Sequence, residues 1–331
     1  MKLNYIENCD CLEGLQGIPD GSVDLIVTDP PYGTMRGGGK AKEARYGRHE
    51  WDHAVPAGVL FPELARVLRP RGRMIVFAME PLSAEYITEK YPLLSFLYKL
   101  YWRKNTPAMT LGAKKNPVSY IEEILVFGRN DNPPQFDAEK LHPLRAYFQE
   151  EREKCGLSAG EFRKLLGSGM GSHYFTQGEQ FIIPTRENYE KLQSTGYFER
   201  PFSEILNIDR QYKISKQDAR NRALREYGEK FPTVFNLPDG AKSKSNVLDF
   251  AKDTPSLHPT QKPIKLIEDL IATYSRSGET LLDPFMGSGT TAAAAIETGR
   301  NYIGFELNPE YHAIAQQRIA DTVDELLGAE A

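Results

Sequence analysis

Cysteine, tryptophan and histidine are all scarce in this chain of 331 residues, which has three, two and six of them, respectively. Three cysteines cannot build a disulfide framework, and unpaired thiols are typical of a reducing compartment. Cys9 and Cys11 have neither a histidine nor a further cysteine close by in sequence, and the histidines share no spacing suited to a metal. We therefore predict no metal site.

Long hydrophobic runs and an excess of positive charge are also missing. No apolar stretch approaches the roughly 20 residues of a membrane-spanning helix, so we expect neither a signal peptide nor a membrane partner. With 41 Lys and Arg against 45 Asp and Glu, the net charge is −4, and overall basicity does not indicate a nucleic-acid partner. We expect a cytoplasmic enzyme or binding protein.

Strand and helix patterns alternate in two separate stretches of the chain. In the first, apolar runs at 23–27, 74–77 and 121–127 predict buried strands, and residues 60–68 have helical spacing. The second stretch begins near residue 256 and repeats the alternation. Strand followed by helix followed by strand is typical of a parallel α/β sheet.

A segment of different character separates these stretches. It lacks clear strand patterns, reads as mostly helical and has a small net positive charge. Its most basic part, Arg210–Lys230, has seven cations against three acids. We therefore predict one α/β domain that is split into residues 1–136 and 251–331 around a helical insert at 137–250.

The strongest local signal is a glycine-rich turn, MGSGT, between two predicted strands. The first strand ends at Asp283, Gly287 and Gly289 open a helix, and the second strand ends before Glu306. Glycines let a backbone approach a ligand, helix N-termini offer free N–H groups, and an acid in this place can bind ribose hydroxyls. The third glycine of the dinucleotide fingerprint is missing, so NAD, FAD, S-adenosylmethionine and a turn without ligand all stay open.

A second signal, TDPPYG at residues 28–33, follows the strand predicted at 23–27. Ligands of open parallel sheets bind beyond the carboxyl ends of strands, where this turn lies. Pro30 and Pro31 fix φ and remove two N–H donors, which leaves a rigid set of acceptors. The Asp29 carboxylate, a neighbouring carbonyl and the Tyr32 ring suit a flat group that carries an NH₂. The alternative is a proline-stiffened connector with a core tyrosine.

Residues 141–196 of the insert have a pattern like that of a helix-turn-helix. Ser158 is the expected N-cap of a helix over 157–167, with Glu161 as its capping-box partner. The stretch near 170–181 would then be the recognition element. A purely structural insert is the alternative.

Together these motifs resemble the amino-methylating DNA methyltransferases, the adenine-N6 and cytosine-N4 family that uses S-adenosyl-L-methionine. The matching motifs are TDPPYG (28–33), HPTQKP (258–263), DPFMGSGTT (283–291) and GFELNPEYHAIAQQRI (304–319). Their order is similar to that of the β group, which keeps its target recognition region between the two halves. The resemblance implies a Rossmann-like methyltransferase fold, permuted in sequence, with a mixed and mainly parallel sheet flanked by helices.

The resemblance also implies roles for individual residues. In the catalytic motif Asp29-Pro30-Pro31-Tyr32, Asp29 and the Pro30 carbonyl would accept hydrogen bonds from the target amine, and Tyr32 would stack on the base. Lys262 would lie beside the cofactor carboxylate, and Glu306 would hold the ribose. The full set implied for the cofactor is Asp10, Cys11, Thr260, Gln261, Lys262, Pro263, Asp283, Phe285, Gly287, Ser288, Gly289, Thr290 and Glu306.

We thus predict a site-specific enzyme that methylates the N6 amino group of an adenine flipped out of double-stranded DNA. Two acceptors on the amine and a donor methyl that is already activated need neither a metal nor a covalent nucleophile. The residues predicted to contact DNA are His173, Tyr174, Thr176 and Gln177 in the recognition stretch, with Arg103, Lys104, Lys114, Lys115, Lys213, Lys216, Arg220 and Arg222 at phosphates.

Several alternatives stay open from sequence alone. Cytosine-N4 methylation uses nearly the same chemistry, and a DNA-binding regulator with a degenerate methyltransferase fold is a more distant possibility. RNA or protein methylation is disfavoured by the insert, and a nicotinamide dehydrogenase would leave TDPPYG unexplained. The sequence is also compatible with a homodimer and with a partner restriction endonuclease.

Overall fold

The computed structural model divides the chain into two compact units. The first consists of Met1–Asp131 and Phe231–Ala331, and the second is Asn132–Lys230. The second unit ends at Lys230, whereas the insert was predicted to end at residue 250. The Asn236 side chain donates to the carbonyls of Ala272 and Ser275, and residues 247–249 form a strand, so this segment belongs to the first unit. The structure describes residues 1–32, 55–108, 114–115, 117–130, 141–167, 171–176, 180–254 and 261–329.

The first unit is built on a sheet of eight strands within these residues. The strands are β1 (Tyr5–Glu7), β2 (Val23–Thr28), β3 (Leu68–Ala78), β4 (Leu94–Ala108), β5 (Ser119–Arg129), β6 (Val247–Asp249), β7 (Thr280–Asp283) and β8 (Asn301–Phe305). Their order across the sheet is β1-β8-β7-β2-β3-β5-β4-β6. Strand β5 runs antiparallel to β3 and β4, and the other neighbouring pairs are parallel.

Helices pack on both faces of this sheet. Successive side chains of a strand point to opposite faces. Ile26 lies in the same apolar cluster as the helix residues Leu15 and Phe61, whereas Leu25 lies in the cluster of Leu266 and Ala292. Burial on both faces is why β2 and the central parts of β3 and β5 are nearly continuous apolar runs. The helices of this unit are α1 (Cys11–Gln16), α2 (Ala57–Val67), α3 (Leu82–Thr88), α9 (Ile264–Tyr274), α10 (Thr290–Glu297) and α11 (Pro309–Ala329).

The sequence patterns missed three strands. Strands β1 and β6 have three residues each, which is too short for a periodic pattern. Strand β4 carries several polar residues and has two irregularities in its register with β5, and these interrupt the alternation that would reveal it.

The second unit is helical. Its helices are α4 (Leu144–Cys155), α5 (Ala159–Leu166), α6 (Gly171–Tyr174), α7 (Arg186–Gln193) and α8 (Phe202–Lys230), which surround a mainly aromatic core. The capping box predicted for α5 is confirmed, since the Ser158 side chain accepts from the Glu161 N–H and the Glu161 carboxylate accepts from the Ser158 N–H. None of the helices in the described ranges of either unit is long and apolar enough to span a membrane.

Candidate active site

Four adjacent parallel strands bring the sequence motifs together at one edge of the sheet. Because parallel strands end at the same edge, the residues that follow them converge there. Asp10 follows β1, Glu306 follows β8, and Asp29 follows β2, while Asp283 is the last residue of β7. These four acids line one cavity of about 270 Å³, which is near the lower end of ordinary small-molecule sites.

Most of the predicted catalytic and cofactor residues line this cavity. Pro263 and Gly289 do not line it; they are the N-caps of α9 and α10. Thr260 lies outside the described residues. The predicted residues at the cavity are Asp10, Cys11, Asp29, Pro30, Pro31, Tyr32, Gln261, Lys262, Asp283, Phe285, Gly287, Ser288, Thr290 and Glu306.

The glycine turn needs its glycines for two different reasons. Gly287 and Gly289 have φ angles of +56° and +79°, a region that L-residues with side chains rarely adopt. A Cβ on Gly289 would also lie 3.0 Å from the Cα of Ala315 in α11, so this residue lets two helices approach closely. Nothing lies within 4 Å of a Cβ built on Gly287, and this side of the turn has room for a ligand.

Glu306 fastens the glycine turn to the end of β8. One carboxylate oxygen accepts the N–H of Gly287 at 2.8 Å, and the other accepts the N–H of Asn308 at 2.8 Å. Burial raises the pKa of Glu306. Because each carboxylate oxygen has more than one lone pair, the side chain can still accept hydrogen bonds from ligand hydroxyls.

Asp283 and Asp10 have structural partners of their own. The Asp283 carboxylate accepts from the Phe285 N–H at 3.1 Å and from the Thr291 hydroxyl at 2.6 Å, and burial raises its pKa to about 6. Asp10 is the N-cap of α1 and accepts the N–H of Leu12 at 2.8 Å. Both acids therefore shape turns at the cavity wall.

The carboxylate of Asp29 is held from two sides. The Tyr32 hydroxyl donates to one oxygen at 2.7 Å, and the Lys262 ammonium lies 2.5 Å from the other. Burial raises the pKa of Asp29, and the charge of Lys262 opposes the rise. The Tyr32 ring packs partly against the apolar core. The first acid of the DPPY motif thus lies at the cavity wall with its orientation fixed.

Three residues here were missed or assigned differently from sequence. Glu122 of β5 was not singled out, yet it lies 2.9 Å from Lys262 and 2.7 Å from Lys104. Lys104 was predicted to contact a DNA phosphate; this is wrong, because its side chain is only 5% exposed and pairs with Glu122. The prediction for Lys262 was a place beside the cofactor carboxylate, whereas its ammonium bridges two carboxylates of the protein. The sequence signal that could have pointed to Glu122 is an acid inside the apolar run IEEILVF.

The predicted recognition stretch differs from the structure. Its described part contains one helical turn, α6, which is too short for a recognition helix. Tyr174 is buried in the core of the second unit, where its hydroxyl accepts from the Asn188 amide, so its predicted DNA contact is wrong. His173 and Thr176 are partly exposed, and Gln177 lies outside the described residues.

The remaining basic residues predicted to contact phosphates lie near or at the surface. Arg103 forms a two-point ion pair with Asp249, with distances of 2.5 and 2.8 Å, and Lys213 pairs with Asp209 at 2.8 Å. The other five are exposed: Lys114 and Lys115 in a turn, and Lys216, Arg220 and Arg222 on α8. Among the described residues, no three His, Cys, Asp or Glu side chains are grouped as a metal site would require.

Comparison with known proteins identifies relatives of this chain. The family model described as DNA methylase matches residues 23–317. The DNA adenine methyltransferase YhdJ of Escherichia coli (strain K12) is 38% identical over 320 residues, which cover 94% of this chain and 80% of that protein. The type II methyltransferase M.HindIII of Haemophilus influenzae is 36% identical over 123 residues, which cover 36% of this chain and 40% of that protein.

A solved structure supports the fold. The crystal structure of the M1.HpyAVI-SAM complex has a TM-score of 0.50 and 19% identity, and the match covers 95% of this chain and 98% of that chain. At this identity the likeness concerns the fold alone. It confirms the predicted fold class, a Rossmann-like methyltransferase domain with a mixed and mainly parallel sheet.

Proposed function

Because the chain belongs to the DNA methylase family, we propose that it methylates the N6 amino group of adenine at specific sites in double-stranded DNA. Membership confirms the resemblance noted in the sequence and the predicted enzyme class, a DNA methyltransferase that uses S-adenosylmethionine. The choice of adenine is supported by YhdJ, the relative that is named as an adenine methyltransferase and aligns over 94% of this chain.

One observation carries the assignment of roles within the site. Asp29 of the DPPY motif and Glu306 beside the glycine turn line the same cavity. A donor bound at the turn and a base presented to Asp29 would therefore meet in one space. Proximity of this kind supplies a large part of the rate of a two-substrate reaction.

The residues around the glycine turn fit S-adenosylmethionine. This cofactor supplies a methyl group on a sulfonium centre, which needs no further activation. Gly287 leaves room for a ligand beside the turn, and Glu306 can accept hydrogen bonds from ribose hydroxyls while it holds the Gly287 N–H. The side chains of Phe285 and Phe305 give the cavity an apolar wall.

The DPPY turn fits an exocyclic amine. The lone pair of such an amine is delocalised into the ring, so the nitrogen is a weak nucleophile. Asp29 and the Pro30 carbonyl would accept its two hydrogens, which favours a pyramidal nitrogen with a localised lone pair. Tyr32 and Lys262 already orient the Asp29 carboxylate, and acceptors that are oriented in advance need no rearrangement during the reaction.

Access to the amine requires the base to leave the duplex. The N6 atom of a paired adenine lies within the stack, and enzymes that modify it extrude the nucleotide into a pocket. We expect Tyr32, which is partly exposed at the cavity, to stack on the extruded base. We expect the second unit to select the DNA sequence that is methylated.

The test of this function is transfer of labelled methyl from S-adenosylmethionine to unmethylated, mixed-sequence duplex DNA, followed by analysis of the nucleosides. We expect label in N6-methyladenine. Label in N4-methylcytosine would show that the same mechanism acts on cytosine and not on adenine. No label in DNA would contradict the proposal.

The exposed basic residues of α8 give a further prediction. The triple variant Lys216→Gln, Arg220→Gln, Arg222→Gln should bind DNA more weakly to a similar extent for all sequences, because phosphate contacts are not sequence-specific. The slope of log Kd against log salt should fall by up to about 3, at roughly 0.9 for each phosphate contact. Fluorescence anisotropy over a range of salt concentrations measures both quantities.

The control has the same change in charge at exposed lysines of the first unit, Lys2, Lys90 and Lys242. Each is replaced by Gln. If the control lowers the salt slope as much as the α8 variant does, the effect reflects net charge, and α8 is not a phosphate-binding helix.

A further inference from the structure

Four charged side chains of alternating sign form a continuous chain behind the DPPY turn. Lys104 of β4 lies 2.7 Å from Glu122 of β5, Glu122 lies 2.9 Å from Lys262, and Lys262 lies 2.5 Å from Asp29. The residues come from four separate parts of the sequence. Two cations and two anions leave the chain electrically neutral.

This row of four ion-paired side chains runs from the protein interior to the cavity. The side chains of Lys104, Glu122 and Lys262 are 5%, 7% and 8% exposed, and that of Asp29 is 24% exposed. Lys262 and Asp29 line the cavity, whereas Lys104 and Glu122 are not among the described residues that line it. Apolar residues would fill such an interior space at least as stably as a buried ion chain, so stability alone does not account for it.

We propose that Glu122 is a positioning residue for methyl transfer: it shares the ammonium of Lys262 with Asp29 and thereby fixes where the Asp29 carboxylate lies and keeps it able to accept the target amine. This inference rests on the proposed role of Asp29. Glu122 acts through Lys262, and the Tyr32 hydroxyl also lies 3.4 Å from its Oε1; Glu122 does not line the cavity in which the substrate would lie. Lys104 pairs with one carboxylate oxygen of Glu122, and Lys262 pairs with the other.

The charges around Asp29 support this arrangement. Burial and the charge of Glu122 raise the pKa of Asp29, and Lys262 lowers it. Burial would also raise the pKa of Glu122, but Lys262 and Lys104 outweigh it and lower that pKa to about 2, so Glu122 stays ionised. The other ionisable groups that face these residues are Tyr32, Asp283 and Lys252.

The variant Glu122→Gln tests the proposal, because it keeps the shape of the side chain and removes its charge. Lys262 then pairs with Asp29 without a competing carboxylate. We expect kcat to fall by about 10- to 10²-fold, as for a displaced reacting group, with little change in the KM for DNA or the Kd for S-adenosylmethionine. The acid limb of the kcat–pH profile should move to lower pH, because a like charge that raises the pKa of Asp29 is gone.

A second variant guards against misfolding. Glu122→Gln alone leaves two buried lysines with one carboxylate, whereas Lys104→Met combined with Glu122→Gln keeps the cluster neutral. We expect the acid limb of this double variant to move in the same direction. Glu123→Gln is the matched control: this neighbouring carboxylate of β5 pairs with Lys99 at 2.8 Å and does not line the cavity. It should retain the wild-type kcat and pH profile.

A measurement that needs no methyl transfer, the titration of Asp29, tests this inference separately from the proposed function. The ¹³C carboxyl resonance of Asp29, identified by its loss in Asp29→Asn, should titrate at lower pH in both Glu122 variants than in the wild type. A wild-type protein that methylates no DNA would overturn the proposed function, and the titration would still decide the inference. Unchanged titration of Asp29 in both variants, or a kcat no lower than that of Glu123→Gln, would overturn the role of Glu122.

Discussion

Asp29→Ala should lower the rate of methyl transfer by at least about 10²–10³-fold, the usual loss when one oriented hydrogen-bonding group is removed from a transition state. Binding of S-adenosylmethionine should be largely spared, because the glycine turn is held by Glu306 and not by Asp29. The variant removes the acceptor that we propose for the target amine. Single-turnover transfer of labelled methyl to duplex DNA measures the rate, and calorimetry measures the Kd of the cofactor.

The same variant should still fold, because Lys262 keeps its ion pair with Glu122 at 2.9 Å. Asp20→Ala is the control: this aspartate has a side chain that is 78% exposed and pairs with Arg66 outside the cavity. Its rate should match that of the wild type. If Asp29→Ala retains most of the activity, Asp29 is not the acceptor for the amine. If the variant no longer binds the cofactor, Asp29 belongs to the cofactor site.

Glu306→Ala should weaken the binding of S-adenosylmethionine by about 10- to 10²-fold. The carboxylate accepts the N–H groups of Gly287 and Asn308, and each hydrogen bond to a charged group contributes about 1.5–3 kcal/mol. A loss of 1.4 kcal/mol corresponds to a factor of about ten in affinity. Both the shape of the turn and the acceptor for ribose are lost. Calorimetric titration with S-adenosylmethionine gives the Kd.

Two further variants define the source of that effect. Glu306→Gln keeps one oxygen acceptor but turns an NH₂ group towards the other backbone N–H, so its Kd should lie between those of the wild type and Glu306→Ala. Glu310→Ala removes an exposed acid in the first turn of α11 and should leave the Kd unchanged. A wild-type Kd in Glu306→Ala would show that the turn binds no ribose through this residue.

The parts of the fold that sequence patterns predicted are those with local causes. The apolar runs within strands β2, β3 and β5 are buried on both faces of the sheet, and such runs are visible without a partner. The capping box of α5 depends on residues three positions apart. The DPPY and glycine-turn motifs are short segments whose backbone requirements lie within them. Their convergence at one sheet edge follows from the parallel order of the strands.

Other features depended on contacts between distant parts of the chain. Strand β6 exists because residues 247–249 pair with β4, and Asn236 is held by the carbonyls of Ala272 and Ser275; these contacts tie the segment after Lys230 to the first unit. Tyr174 has the residue type of a base contact, but the aromatic core of the second unit buries it. Side-chain chemistry alone does not reveal which face a residue turns to the interior.

The sequence by itself determined the family and the class of cofactor, because four short motifs and their order along the chain carry the resemblance, and it singled out Asp29 as the leading acid of the DPPY motif. Only the tertiary structure decided that Lys104 is buried, that Glu122 belongs beside the site and that Lys262 bridges Glu122 and Asp29. Ion pairs form between side chains that are 18 to 233 positions apart along the chain. Such pairs depend on distance in space, which local sequence patterns do not contain.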